Sequence, residues 1–160
     1  MAELPAWMVL LSPLPPDAVP ERKFVATAEQ IANGTDGPIA GWENLTVHLS
    51  LPGVGLRHVL IVLDGAGRVI AGGDHVMVAR EEMRDGVEYT ISDHENIGGR
   101  FEEDGSFRGT RWKTHTAGPA DSDEPGATES TPSTPTDEEV AALRRVVADV
   151  MSRDADRRSR

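Results

Sequence analysis

A chain of 160 residues has the length of one ordinary domain and can bury a sizeable core without covalent staples. It contains no cysteine, which excludes disulfides, thiolate nucleophiles and cysteine-ligated zinc, and suits a reducing, cytoplasmic setting. The formal charge of −11 falls wholly on residues 1–136, with ten basic and twenty-one acidic side chains, and such a body repels phosphate backbones and argues against a nucleic-acid partner.

Residues 1–20 form an irregular N-terminal arm by this reading. Trp7 to Leu11 are apolar, but Pro5, Pro13, Pro15 and Pro16 deny the segment a long helix. It lacks the basic start of a secretory signal. No run approaches the roughly 18 apolar residues of a membrane helix, so no membrane partner is expected.

Residues 21–116 have the pattern of a β-rich domain. Phe24–Gln30 is a candidate first strand, followed by turns at Asn33-Gly34 and Asp36-Gly37-Pro38. Leu45, Val47, Leu49 and Leu51 then alternate with Asn44, Thr46, His48 and Ser50, the pattern of a half-buried strand. Pro52-Gly53-Val54-Gly55 turns the chain into Leu56–Leu63, which is apolar on both parities from Val59 onward. A doubly covered central strand is expected there, with Leu60 and Val62 among the most buried residues.

Asp64-Gly65-Ala66-Gly67 is a hairpin signal that returns the chain through Arg68–Ala71. Gly72-Gly73 permits a bulge or bend before His75–Arg80. Glu81–Gly86 is expected as a charged loop or a single helical turn leading into Val87–Ser92. Ile97–Glu102 and Ser106–Trp112 follow on either side of Glu103-Asp104-Gly105, with Phe107 and Trp112 as candidate core residues. Strands so closely spaced and joined by short Gly/Asp turns favour an antiparallel meander of about seven or eight strands, forming a barrel or a strongly curved sheet.

Residues 117–135 carry Pro, Ser, Thr and acids without a large apolar side chain and are expected to be a linker. Thr136-Asp137-Glu138-Glu139 has the capping-box pattern, so a helix is expected over 136–153 with a polar tail over 154–160. Val140, Leu143, Val147, Val150 and Met151 form one apolar stripe. The stripe has two destinations, this chain's own sheet or a second copy in a homodimer.

The densest polar constellation is Asp93-His94-Glu95-Asn96, and Asp74-His75 repeats its first two residues. Pairing Val76 with Ile91 and Val78 with Tyr89 keeps apolar residues on one face and sets Asp74 opposite Asp93. Two carboxylates so placed need an arginine, a shared proton or a cation between them. The candidate ligand site is therefore Asp74, His75, Asp93 and His94 with Arg100, Arg111 and His48, and Asp74, Asp93 and His94 are the candidate ligands for a metal. Asp, His, Asn and Gly are equally the residues of ordinary turns. His58, in the apolar strand, is expected as a satisfied core histidine.

Walker, nucleophile-elbow and His-Glu-x-x-His motifs are lacking, and no cofactor is specified. The expected protein is an α+β, β-rich domain that binds a small molecule or a partner through a polar pocket. The alternative is a small enzyme using the Asp/His cluster in acid–base or metal-assisted chemistry.

Overall fold

The alternation at 44–51 becomes a strand because one parity can be buried while the other stays polar. That strand, β2 (Trp42–Leu51), lies between β1 (Glu21–Val25) and β3 (Gly55–Leu63). The computed structural model describes residues 9–25, 42–51, 55–119 and 127–159. Within them β4 (Val69–Arg84), β5 (Val87–Phe101), β6 (Phe107–Pro119) and β7 (Ala127–Ser133) continue the meander. The result is a seven-stranded antiparallel sheet in the order β1 to β7, followed by one helix, α1 (Asp137–Arg158). The sheet is not closed: β1 and β7 are its two edges.

Most of the expected first strand and the turns at 33–38 lie outside the described residues, as does the turn at 52–54. Elsewhere four expectations change, the first being the polar tail expected over 154–160, since the helix continues to Arg158. The charged segment Glu81–Arg84 is strand, and only Asp85 and Gly86 turn, both at positive φ (51° and 80°), the two-residue hairpin geometry that Asp-Gly favours. Gly72 and Gly73 interrupt nothing; they face Gly99 and Gly98 within continuous strands, and the ladder's one shift in β3–β4 falls between Val62 and Leu63. The segment read as a linker is in part sheet: β6 runs to Pro119, and Ala127–Ser133 pairs with Arg111–Ala117.

One face of the sheet carries the core. Leu45, Val47, Val59, Ile61, Leu63, Val76 and Ile97 are buried there beneath Leu143, Val146, Val147 and Val150 of α1 and Leu10, Leu14 and Ala18 of the arm. The apolar run of β3 therefore buries Val59, Ile61 and Leu63, while Leu60 and Val62 take the opposite face and are half-buried. Trp112 is on that opposite face too and is 40% exposed, and among the described residues the aromatics packed against the core are Phe101 and Phe107 instead. Gly72 lets the helix approach, since a Cβ there would stand 3.3 Å from Val147 Cγ2. Gly109 lets Phe107 lie across the sheet: a Cβ would come within 2.6 Å of its ring and 2.3 Å of Gly98 O.

The helix begins as its sequence requires. The Thr136 hydroxyl accepts from Glu139 N–H at 3.1 Å, and the Glu139 carboxylate accepts from Thr136 N–H at 2.9 Å. Its stripe is taken by its own sheet. Arginines then lace the helix to the arm and β1: Arg153 donates to the carbonyls of Leu14, Pro15 and Ala18, Arg157 to that of Pro20, and Arg22 to Asp154.

Candidate functional site

The two faces of the sheet hold different chemistry, and register sorts the expected site residues between them. In β4–β5 the observed pairs are Asp74 with Ile97, His75 with Asn96, Met77 with His94 and Val78 with Asp93. The turn centre lies two residues beyond the one expected, so the register differs by four. An even shift preserves the faces but separates Asp74 from Asp93 by four residues along the ladder, roughly 13 Å at about 3.3 Å per residue. The two aspartates do not share a site.

Asp74 is a structural anchor. It is buried on the core face, where Oδ1 accepts from Arg57 Nε at 3.1 Å and Oδ2 from Arg57 Nη2 at 2.7 Å. The same Oδ2 accepts the Leu11 N–H at 2.9 Å, holding Leu11 at φ 65°, and Arg57 also donates to the Ser12 carbonyl and hydroxyl. The pair thus pins the arm to the middle of the sheet. Arg57 was not among the expected site residues; it sits on the core parity of an apolar strand, and a buried arginine there demands a buried acid.

Asp93 lies on the core face beyond the helix's cover. Its Oδ1 is 2.5 Å from His115 Nδ1, and Arg80 Nη1 is 3.2 Å from Oδ2. Glu95, the next inward residue on that face, is buried, with Arg111 Nη2 and Lys113 Nζ each 3.6 Å from Oε1. Among the described residues no hydrogen bond reaches its carboxylate. Arg111 also pairs with Glu139 at the helix start. The Glu139 carboxyl is held below its usual value: burial opposes this, but the Thr136 N–H and the Arg111 charge outweigh it. Arg100 is far from these groups, at the rim of a 670 Å³ depression between the Asp64–Arg68 and Glu102–Ser106 turns.

The opposite face gathers the histidines. His48 pairs with His58 across β2–β3, and His58 with His75 across β3–β4. The row continues through Asn96, Trp112 and Pro132, with His94 two residues from Asn96 along β5. The His48 and His58 rings stack at 4.2 Å with 9° between planes. His75 Nε2 and His94 Nδ1 are 3.0 Å apart, with ring centroids at 5.2 Å and planes within 15°. Burial, then the neighbouring His94, hold the His75 imidazole below the usual histidine value, against the opposing pull of Asp74. Beside the row is a depression of 330 Å³, lined by His48, His58 and His75 with Ser50, Leu56 and Met77, and reaching Leu49 and Arg57 at its floor.

No known family, curated protein or solved structure matches this chain.

The structure therefore brings together His48, His75 and His94 of the expected set, adds His58, and leaves Asp74, Asp93, Arg100 and Arg111 elsewhere. A signal for the row was present. His48 and His58 stand five residues either side of Gly53, so a hairpin centred there must oppose them. Sequence spacing such as His-x-His is the wrong test on a sheet, where register makes neighbours of distant residues.

Proposed function

We propose that this chain is a non-catalytic binding module whose recognition surface is the histidine-bearing face of the sheet. The observation that carries this reading is the depression into which three adjacent strands each send one imidazole. Its 330 Å³ falls within the range of small-molecule sites. Strand twist of about 20–25° per neighbour curls a sheet of this width, and such curvature supplies walls to a depression on its surface. The ligand class that fits is a small planar heteroaromatic. It would extend the His48–His58 stack, rest on Leu56 and Met77, and exchange hydrogen bonds with ring nitrogens.

Titration of the labelled protein with indole and with quinoline, followed by amide chemical shifts, tests this. Saturable shifts centred on His48, Leu56, His58 and Met77, and abolished by Leu56→Asp, are expected; Leu56 is 52% exposed, so the variant spares the core. No saturable shift up to millimolar ligand, or shifts centred elsewhere, defeats the reading.

The Asp93–His115 contact favours a second reading, an acid–base enzyme in which the aspartate orients the imidazole and the other ring nitrogen exchanges a proton with substrate. Under it His115→Ala abolishes a turnover that His94→Ala leaves intact. Equal loss in both variants, or in neither, removes it.

A further inference from the structure

The His75–His94 pair has a geometry that the small-molecule reading does not use. Its facing nitrogens are 3.0 Å apart with the rings nearly coplanar, so at present one N–H···N hydrogen bond joins them. Two nitrogens bound to one metal at about 2.0–2.1 Å stand roughly 2.9–3.3 Å apart for angles from square to tetrahedral. A metal bound by both lies off the line between them, so each ring turns by roughly 35–45° to aim its lone pair at the ion while the nitrogens keep their separation; the ring that donates the hydrogen bond passes its proton to its outer nitrogen through solvent, and the other ring already carries its proton there. Met77 faces His94 directly and Asn96 faces His75, so a thioether and an amide oxygen occupy the other two corners of the same four-residue block.

We propose that His75 and His94 form a binding site for a late first-row divalent cation, with Cu²⁺ preferred over Ni²⁺ and Zn²⁺. Paired imidazoles suit all three metals, and copper heads the affinity order of the divalent ions. Among the described residues no third His, Cys, Asp or Glu joins the pair, so the remaining positions are open to water or to an incoming donor. The net charge of −11 draws cations toward the protein. This goes beyond the small-molecule reading and stands without it: the pair takes metal whether or not the depression takes an aromatic ring.

The test is titration of the untagged full chain with CuCl₂, NiCl₂ and ZnCl₂ at about pH 7.5, where free imidazole is neutral, read by calorimetry and by electron paramagnetic resonance for Cu²⁺. One Cu²⁺ per chain with micromolar affinity and a two-nitrogen signature is expected. His75→Gln and His94→Gln should each weaken it by about tenfold or more, while His48→Gln, His115→Gln and Leu56→Asp change it less than about twofold. Circular dichroism confirms that each variant is folded before it is compared, and a Cu²⁺-dependent rise in melting temperature seen only when both histidines are present gives a second readout. Absence of stoichiometric binding to the wild type overturns the proposal, as does binding that survives either substitution. Loss of indole binding in Leu56→Asp with copper binding intact separates the two readings.

Discussion

Replacing Asp74 by Asn tests whether the Arg57–Asp74 pair anchors the arm. The change keeps shape and removes charge. Side-chain exposures of 2% and 0% mean that water cannot compensate. Oδ2 takes two donors, Arg57 Nη2 and Leu11 N–H, and Oδ1 takes Arg57 Nε. An amide must place its NH₂ at one of these positions, donor against donor, and the least costly choice faces Arg57 Nε. Even so the guanidinium keeps its full charge in a buried setting, and loss of one partner of such a pair costs about 3–5 kcal/mol.

With a urea m-value of about 2 kcal/mol/M, the unfolding midpoint should fall by roughly 1.5–2.5 M. Tryptophan fluorescence follows the transition, with Asp93→Asn as control; that carboxylate is 38% exposed and its loss should cost about 1 kcal/mol or less. Hydrogen exchange at the Leu11 amide should also accelerate. If Asp74→Asn costs no more than Asp93→Asn, the anchor contributes nothing and the account of the arm fails.

Leu143→Ala should cost about 2–5 kcal/mol because the side chain is fully buried between helix and sheet. Leu60→Ala, on the opposite face, should cost less than half of that, and the reverse order in urea midpoints would mean that the faces are assigned wrongly. Gly109→Ala drives a Cβ against the Gly98 carbonyl and the Phe107 ring. An overpacking cost of about 1–3 kcal/mol should appear as a clear fall in melting temperature, and an unchanged value would contradict the close approach. Stability should also fall on mild acidification. His75 binds its proton less readily folded than unfolded, so the unfolded chain binds more protons below about pH 6.5. This contribution is complete above that pH and is lost as pH falls through the depressed folded value. His94 on β5 and His58 on β3 face the ring, with Asp74 adjacent in the chain as the opposing charge. His75→Gln should flatten the pH dependence of the urea midpoint between about pH 7 and 5, and an unchanged slope would exclude His75 as its source.

Much of the fold was legible because local signals agreed. Alternation at 44–51, the Asp64–Gly67 turn and the Thr136–Glu139 box each name one element and nothing else, and the meander and helix follow from them. Three features were not legible from the same signals. Glu81–Arg84 is charged on every residue but Met83, and such runs occur equally in loops; only the positive φ of Asp85 and Gly86 shows where the hairpin turns. Val59–Leu63 is apolar on both parities, so the buried set depends on which face the helix takes, a tertiary fact. Ala127–Ser133 lacks large side chains and is strand because β6 offers it an edge, not through propensity of its own. The site was hidden for the first of these reasons. A turn centre misplaced by two residues moves every cross-strand partner by four, which is enough to pair Asp74 with Asp93 on paper and to overlook His75 beside His94.

The lacing of Arg153, Arg157 and Asp154 to the arm and β1 also bears on the order in which the chain can finish folding. Each strand of the meander pairs with the one made just before it, so the sheet can zip up as it leaves the ribosome. Its core face, however, stays open toward water until the 22 residues of α1 have been made, roughly one to four seconds at cellular rates of synthesis. The arm, made first, can be met at Leu11 and Ser12 by Asp74 and Arg57 once β3 and β4 pair, but its stretch from Leu14 to Pro20 waits for the arginines of α1. A chain cut before Leu143 would therefore keep its sheet and an arm held only at Leu11 and Ser12, and lose the helix's cover, leaving Leu45, Ile61 and Leu63 as a sticky surface for the next such chain.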